Sequence, residues 1–146
     1  MKSDEERNYI ALFRAVMFLH HDLQAMAQKV GTRYGLISAE LNVVDILGRF
    51  GGTSMGLLAR RTFISPANTT RTVKSLERKG LVKRARNAAS ARNVDVALTA
   101  KGLALYRKCY PAILGSAVRY FDAGLGAGDR RRLRRLMERL VPPMDF

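Results

Sequence analysis

The sequence predicts a mainly α-helical fold with one small β-hairpin, an α+β arrangement, and three observations carry that expectation. Apolar residues recur at helical spacing along most of the chain. One short stretch, Val94 to Leu98, instead places an apolar residue at every second position. Capping and helix-breaking residues stand at the joins between these segments.

From about Glu6 to Arg33, Ile10, Phe13, Met17, Leu23, Met26 and Val30 follow a helical repeat with Arg14, Gln24 and Lys29 between them, which predicts a long first helix. Gly31 and Gly35 loosen the chain. Ser38 then stands where an N-cap would open a second helix through Leu41, Val44, Ile46 and Leu47, stopping near Gly51 and Gly52. Thr53 or Ser54 caps a short third helix, Met55 to Arg61, with Leu57, Leu58 and Met55 inward, and Thr62 to Ile64 form a turn.

Ser65-Pro66 is the sharpest helix-start signal in the chain, because proline at the first helical position gives up an N–H that has no partner there anyway. This fourth helix runs to Lys79, ends on basic residues that suit the negative end of its dipole, and meets Gly80 where a left-handed cap is expected. Leu81-Val82, the polar stretch Ala85 to Asn93 and the alternating Val94 to Leu98 read as a hairpin with a long, basic, exposed tip. Thr99 caps a fifth helix through Leu103, Tyr106, Tyr110, Ile113, Val118 and Phe121, with a kink expected at Pro111. Gly124 to Gly128 end it. Asp129 caps a last helix, Arg130 to Val141, with Leu133, Leu136, Met137 and Leu140 on one stripe, before Pro142-Pro143 stops it.

At 146 residues the chain is the size of one domain, taken as residues 1–146. Hydrophobic residues at 47% and charged residues at 26% argue against intrinsic disorder. The unusual figure is the charge: 26 Lys and Arg against 12 Asp and Glu give +14, which favours a polyanionic partner. Nucleic acid, an anionic membrane surface and an acidic protein all satisfy that field. Its placement narrows the choice, since the basic residues from Arg60 to Lys108 are opposed only by Glu77 and Asp95.

Other classes find little support. The N-terminus, MKSDEERNYIALFRAV, is acidic and then amphipathic, unlike a signal peptide, and no apolar run approaches the roughly 18 to 20 residues that span a bilayer. No membrane role is expected. The single cysteine, Cys109, cannot form an intramolecular disulfide, which fits a reducing cytoplasm. With no Gly-rich phosphate loop, no clustered Cys and His, and carboxylates scattered among basic residues, neither an enzyme nor a metal or cofactor site is expected.

A short helix, a tight turn, a second helix and a basic hairpin together make a winged helix-turn-helix, here residues 38–100. In such a unit the second helix enters the major groove and the hairpin reaches a neighbouring groove or the phosphates. On the fourth helix Thr69, Val73 and Leu76 would pack inward. That leaves Ala67, Asn68, Thr70, Arg71, Lys74 and Ser75 on the DNA side, with Ser65 at the positive end of the helix, where a phosphate is welcome. Asn pairs bidentately with adenine and Arg with guanine, and Ser and Thr donate to phosphates. On the hairpin the candidates are Arg84, Arg86 and Arg92.

The sequence resembles the MarR family of multiple-antibiotic-resistance-type regulators. The likeness lies in Leu58-Ala59, in Ser65 with Thr70-Arg71, in the run Leu76 to Arg84, and in Leu98-Thr99-Ala100-Lys101-Gly102. The resemblance implies flanking dimerisation helices, residues 6–33 and 100–141, and a homodimer on a pseudo-palindromic operator in double-stranded DNA. It also implies a repressor released by a small, often aromatic effector. Two features depart from the family. Its wing usually carries Asp-x-Arg where this chain has Ser90 and Arg92, and Phe63 stands in the turn where glycine is common.

Because related proteins bind effectors between the dimerising helices and the DNA-binding lobe, His20 and His21 become pocket candidates, with Arg14, Met17 and Met55 beside them. Adjacent histidines diverge on a helix and make no metal pair. Cys109 reads as a buried structural thiol rather than a redox switch. The run Arg130 to Arg135 reads as the solvated outer face of a helix rather than a nucleic-acid or membrane arm. Two other functions fit the same fold: a non-specific architectural nucleic-acid binder without effector, and a winged-helix protein-interaction module.

Overall fold

Helix α1 (Asp4–Arg33) opens on a reciprocal cap, in which the Ser3 hydroxyl accepts from the Glu6 N–H and the Glu6 carboxylate accepts from the Ser3 N–H, both at 3.1 Å. The helix therefore starts slightly before the apolar repeat does. The computed structural model describes residues 3–87 and 90–141, and continues with α2 (Ser38–Phe50), β1 (Thr53–Ser54), α3 (Met55–Thr62) and α4 (Pro66–Arg78). Strands β2 (Val82–Asn87) and β3 (Ser90–Leu98) follow, then α5 (Ala100–Asp122) and α6 (Ala127–Met137). Pro142 and Pro143 lie outside the described residues.

Several boundaries differ from the sequence expectation. Ser38 is the first helical residue of α2, and Ile37 precedes it as the cap. The exposed donors there are taken by the Glu40 carboxylate, 3.0 Å from the Ile37 N–H, and by the Gln28 side-chain oxygen, 3.1 Å from the Ser38 N–H. Helix α6 begins after Gly126, because the Arg130 N–H already bonds the Gly126 carbonyl at 3.0 Å, so Asp129 sits in the first turn rather than capping. It also ends at Met137, short of Val141. Helix α5 runs through Pro111 as one element.

The sheet is three-stranded, in the order β1-β3-β2, where a two-stranded hairpin was expected. Thr53 pairs with Val96 and Ser54 with Asp95. A two-residue strand has no alternation to betray it. Its pairing arises only once the chain has folded β3 alongside. The hairpin ladder also extends from Val82 opposite Leu98 to Arg86 opposite Val94, so much of Ala85 to Asn93, expected as an exposed tip, is strand. Backbone pairing satisfies N–H and C=O groups whether or not the side chains are apolar.

The core gathers around α2, whose Leu41, Val43, Val44 and Leu47 are buried with Leu58 of α3, Val73 and Leu76 of α4, Leu81, Val82 and Val96 of the sheet region, and Cys109 of α5. Helix α1 contributes only Val30 and Gly31 to the buried set. The lobe from α2 to β3 thus shares one core with the end of α1 and the middle of α5, while the first half of α1 stands clear of it.

Candidate nucleic-acid interface and the cleft behind it

Helices α3 and α4 meet at a turn built on Phe63, which takes the left-handed conformation at φ 55 and is 71% exposed. Left-handed backbone costs a non-glycine residue roughly 1 kcal/mol or more. The turn still closes as a helix cap, with the Ile64 N–H on the Ala59 carbonyl at 3.3 Å. The Asn42 amide braces it by donating to the Thr62 carbonyl at 2.9 Å. Ser65 then caps α4, its hydroxyl accepting from the Asn68 N–H at 3.3 Å, and Pro66 takes the first helical position.

Thr69, Val73 and Leu76 are each 0% exposed and face the lobe core, with Thr72 buried beside them. Outward stand Ser65, Ala67, Asn68, Arg71 and Lys74, all exposed. Among the described residues Arg71 and Lys74 form no ion pair. Thr70 and Ser75 are placed differently, both half-buried. The Thr70 hydroxyl donates to the Pro66 carbonyl at 3.1 Å and the Ser75 hydroxyl to the Glu40 carboxylate at 2.7 Å. A hydroxyl has one proton to give, so both keep only acceptor capacity toward solvent.

On the hairpin Arg84 pairs with Glu77 of α4 at 2.7 Å, tying the wing's first strand to the helix. Arg86 and Arg92 occupy β2 and β3, and their side chains lie outside those described. Glu40 anchors the far end of α4 and is 2% exposed. Burial pushes its carboxyl up, but hydrogen bonds from Lys79, Ser75 and the Ile37 N–H outweigh it, so the group is held below the ordinary carboxylate value.

Behind the turn lies a cleft of about 580 Å³ between α1, α2 and the α3–α4 turn, walled by Leu23, Ala27 and Val30, by Ser38, Asn42 and Asp45, and by Phe63 and Ile64, with Ile113 of α5. Its lining is mostly apolar with a few polar groups, the usual character of a small-molecule site. No helix among the described residues is long and apolar enough to cross a membrane, and none of those residues cluster as metal ligands.

Comparison with known proteins agrees with this geometry. The MarR family's sequence model matches residues 34–93, the span from the end of α1 into β3. Over these residues the chain is similar to the MarR family. An HTH-type transcriptional repressor of Mycobacterium tuberculosis is 29% identical over 106 residues, covering 73% of this chain and 76% of that protein. Mutant MarR of E. coli, solved in complex with operator DNA, superposes with a TM-score of 0.82 at 20% identity, covering 96% of this chain and 100% of that one. BpsR of Bordetella bronchiseptica, solved to explain how 6-hydroxynicotinic acid regulates its DNA binding, has a TM-score of 0.79 at 22% identity, over 89% of this chain and 98% of that one.

Within this fold the five pocket candidates do not converge. His20 lines the cleft. Arg14, Met17 and His21 line a shallow surface hollow with Phe13 and Phe18, and Met55 packs against the lobe core. Sequence reasoning passed over Phe63 and Ile64 as cleft residues and Glu40 as the anchor of α4. The signal for Glu40 was present as an acidic residue in the first turn of a helix, but nothing local shows that it also reaches α4.

Proposed function

We propose that the chain is a MarR-type transcriptional regulator that binds duplex DNA as a homodimer at a two-fold site. In this reading residues 38–100 are the DNA-binding lobe, while residues 6–33 and 100–141 are the dimerisation helices. The observation that carries it is the outer face of α4. Asn68, Arg71 and Lys74 stand exposed on a helix fixed from behind by the buried Thr69, Val73 and Leu76. Arg71 suits the guanine edge, Asn68 the adenine edge, and the capped N-terminus at Ser65 a phosphate. Two such helices about 34 Å apart read one half-site each.

The dimer reading draws support from apolar side chains left in solvent on the flanking helices. Phe13 of α1 is 67% exposed, Val118 of α5 is 48% exposed, and Leu140, just after α6, is 76% exposed. Apolar groups of this size are ordinarily covered by a partner, and a second copy covers both sets at once.

For the cleft we infer a small effector with an aromatic body. Its wall of Leu23, Val30, Phe63 and Ile64 offers the apolar contact, and His20 and Asn42 offer polar ends. The hydroxy-aromatic acid named for the Bordetella protein is the chemical class to try first. A ligand that fits the cleft differently in two arrangements of the lobes shifts their balance and so the DNA affinity.

The test is binding to the intergenic DNA beside the protein's own gene at about 150 mM salt, with random duplex as competitor. A two-fold footprint with a preference of roughly a thousandfold or more is the expected result. Indiscriminate binding with a steep salt slope would overturn it in favour of an architectural role.

A further inference from the structure

The first turn of α2 and the last turn of α4 meet through one carboxylate. Glu40 Oε1 accepts from the Ser75 hydroxyl at 2.7 Å, and Oε2 accepts from Lys79 Nζ at 2.6 Å and from the Ile37 N–H at 3.0 Å. Lys79 Nζ also donates to the Gly35 carbonyl at 3.0 Å, and Lys101 Nζ donates to the Lys79 carbonyl at 2.8 Å. Both oxygens of a buried carboxylate are thus satisfied, and the donors come from separate parts of the chain.

The spacing of the two contacts on α4 matters more than their number. Ser75 and Lys79 are one turn apart and lie on one side of the helix. Holding both to a single fixed group limits rotation of α4 about its own axis as well as its distance from α2. Arg71 and Lys74 belong to the turn just before Ser75, so any such rotation would carry them with it. Apolar packing by Val73 and Leu76 sets the depth of the helix but tolerates small rotations better than directional hydrogen bonds do.

We propose that Glu40 is a positioning residue for sequence reading, fixing the rotation of α4 and with it the aim of Asn68, Arg71 and Lys74. This rests on the reading of α4 as the helix that enters DNA. Ser75 belongs to the anchor: its only proton is given to Glu40, so its contribution to DNA discrimination runs through the carboxylate.

The experiment compares wild type, Glu40→Gln, Ser75→Ala and Ser75→Thr on the footprinted intergenic fragment and on random duplex, with the folded fraction of each followed by circular dichroism. Lys79 is left unaltered because its charge also adds to general DNA attraction. Glu40→Gln and Ser75→Ala are expected to lower the preference for the footprinted fragment about tenfold, the worth of one base-reading pair. Binding to random duplex should stay within about threefold, and Ser75→Thr, which keeps the hydroxyl, should retain the preference. Equal losses on both DNAs, or losses that track the unfolded fraction, would reduce Glu40 to a structural group and overturn the proposal. Should Glu40→Gln not fold, Ser75→Ala against Ser75→Thr decides it alone. If wild type itself shows no preference, the DNA reading falls and the proposal with it; if wild type discriminates and folded Ser75→Ala does so equally, only the proposal falls.

Discussion

Gly102, near the start of α5, lies directly against the carbonyl of Leu81, so closely that a Cβ at this position would collide with the carbonyl oxygen. The same junction is stitched by Thr99, whose hydroxyl donates to the Gly80 carbonyl at 2.7 Å and whose N–H donates to the Leu81 carbonyl at 3.0 Å. Backbone has no rotamer with which to give way. Gly102→Ala should therefore force α5 away from the lobe and cost about 1 to 3 kcal/mol, the usual penalty of overpacking. Urea unfolding of the two proteins measures it, and an unchanged midpoint would show that the helix shifts freely.

Arg71 and the wing arginines should fail in different ways. Arg71→Ala is expected to cost about 1 to 3 kcal/mol on the specific site and little on random duplex, because a base-reading contact carries sequence information. Arg92→Ala should weaken both DNAs alike and reduce the salt slope by about one unit, as loss of a phosphate contact does. Competition binding at several salt concentrations separates the two. Equal losses on both DNAs for Arg71→Ala would remove it from base reading.

Glu40 gives the acid side of the stability curve a definite sign. Its carboxyl is held below the ordinary value of 4.5, so the unfolded chain takes up the proton first as pH falls. The contribution is complete well above 4.5 and is lost as pH drops below it toward the folded-state value. Glu40→Gln has no such proton to bind, and its acid limb should be flatter than wild type. Midpoints in urea between pH 6 and about pH 3 would show this. Parallel curves would mean that other carboxylates carry the acid transition.

The parts of the fold that sequence disclosed are those specified by neighbours along the chain. Ser65, Pro66 and Gly80 bound α4 because capping chemistry is local, and Thr69, Val73 and Leu76 lie inward because a helix repeats every three to four residues. What was missed depends on groups distant in sequence. Strand β1 exists because Val96 is beside Thr53, and Ser75 turns inward because Glu40 waits there. The cleft is similar: only folding brings Phe63 and Ile64 opposite His20, so the pocket candidates picked from the sequence scattered to three places.

Cys109 should behave as a packing group. It is fully buried in the lobe core, and burial pushes its thiol above the ordinary cysteine value, so almost no thiolate forms near neutral pH. A disulfide-exchange reagent is expected to label it only at the rate of unfolding, rising sharply in urea. Fast stoichiometric labelling of the native protein would reopen a redox role.

The exposed apolar residues in the first half of α1 make the strongest demand on assembly. Tyr9, Phe13 and Phe18 are each more than 60% exposed, and they lie on the part of the helix that the lobe core leaves uncovered. In a two-fold dimer every position occurs twice, so one substitution places two charges in the interface. Phe13→Glu removes two buried rings and adds two carboxylates without partners, a cost of several kcal/mol against association. The lobe core contains no contact to Phe13, so the variant should keep its helical content and its core. Sedimentation at micromolar concentration is expected to find wild type as a dimer and the variant as a folded monomer, with the two-fold footprint gone and only weak half-site binding left. A variant that remains dimeric would place the interface on another face of the chain.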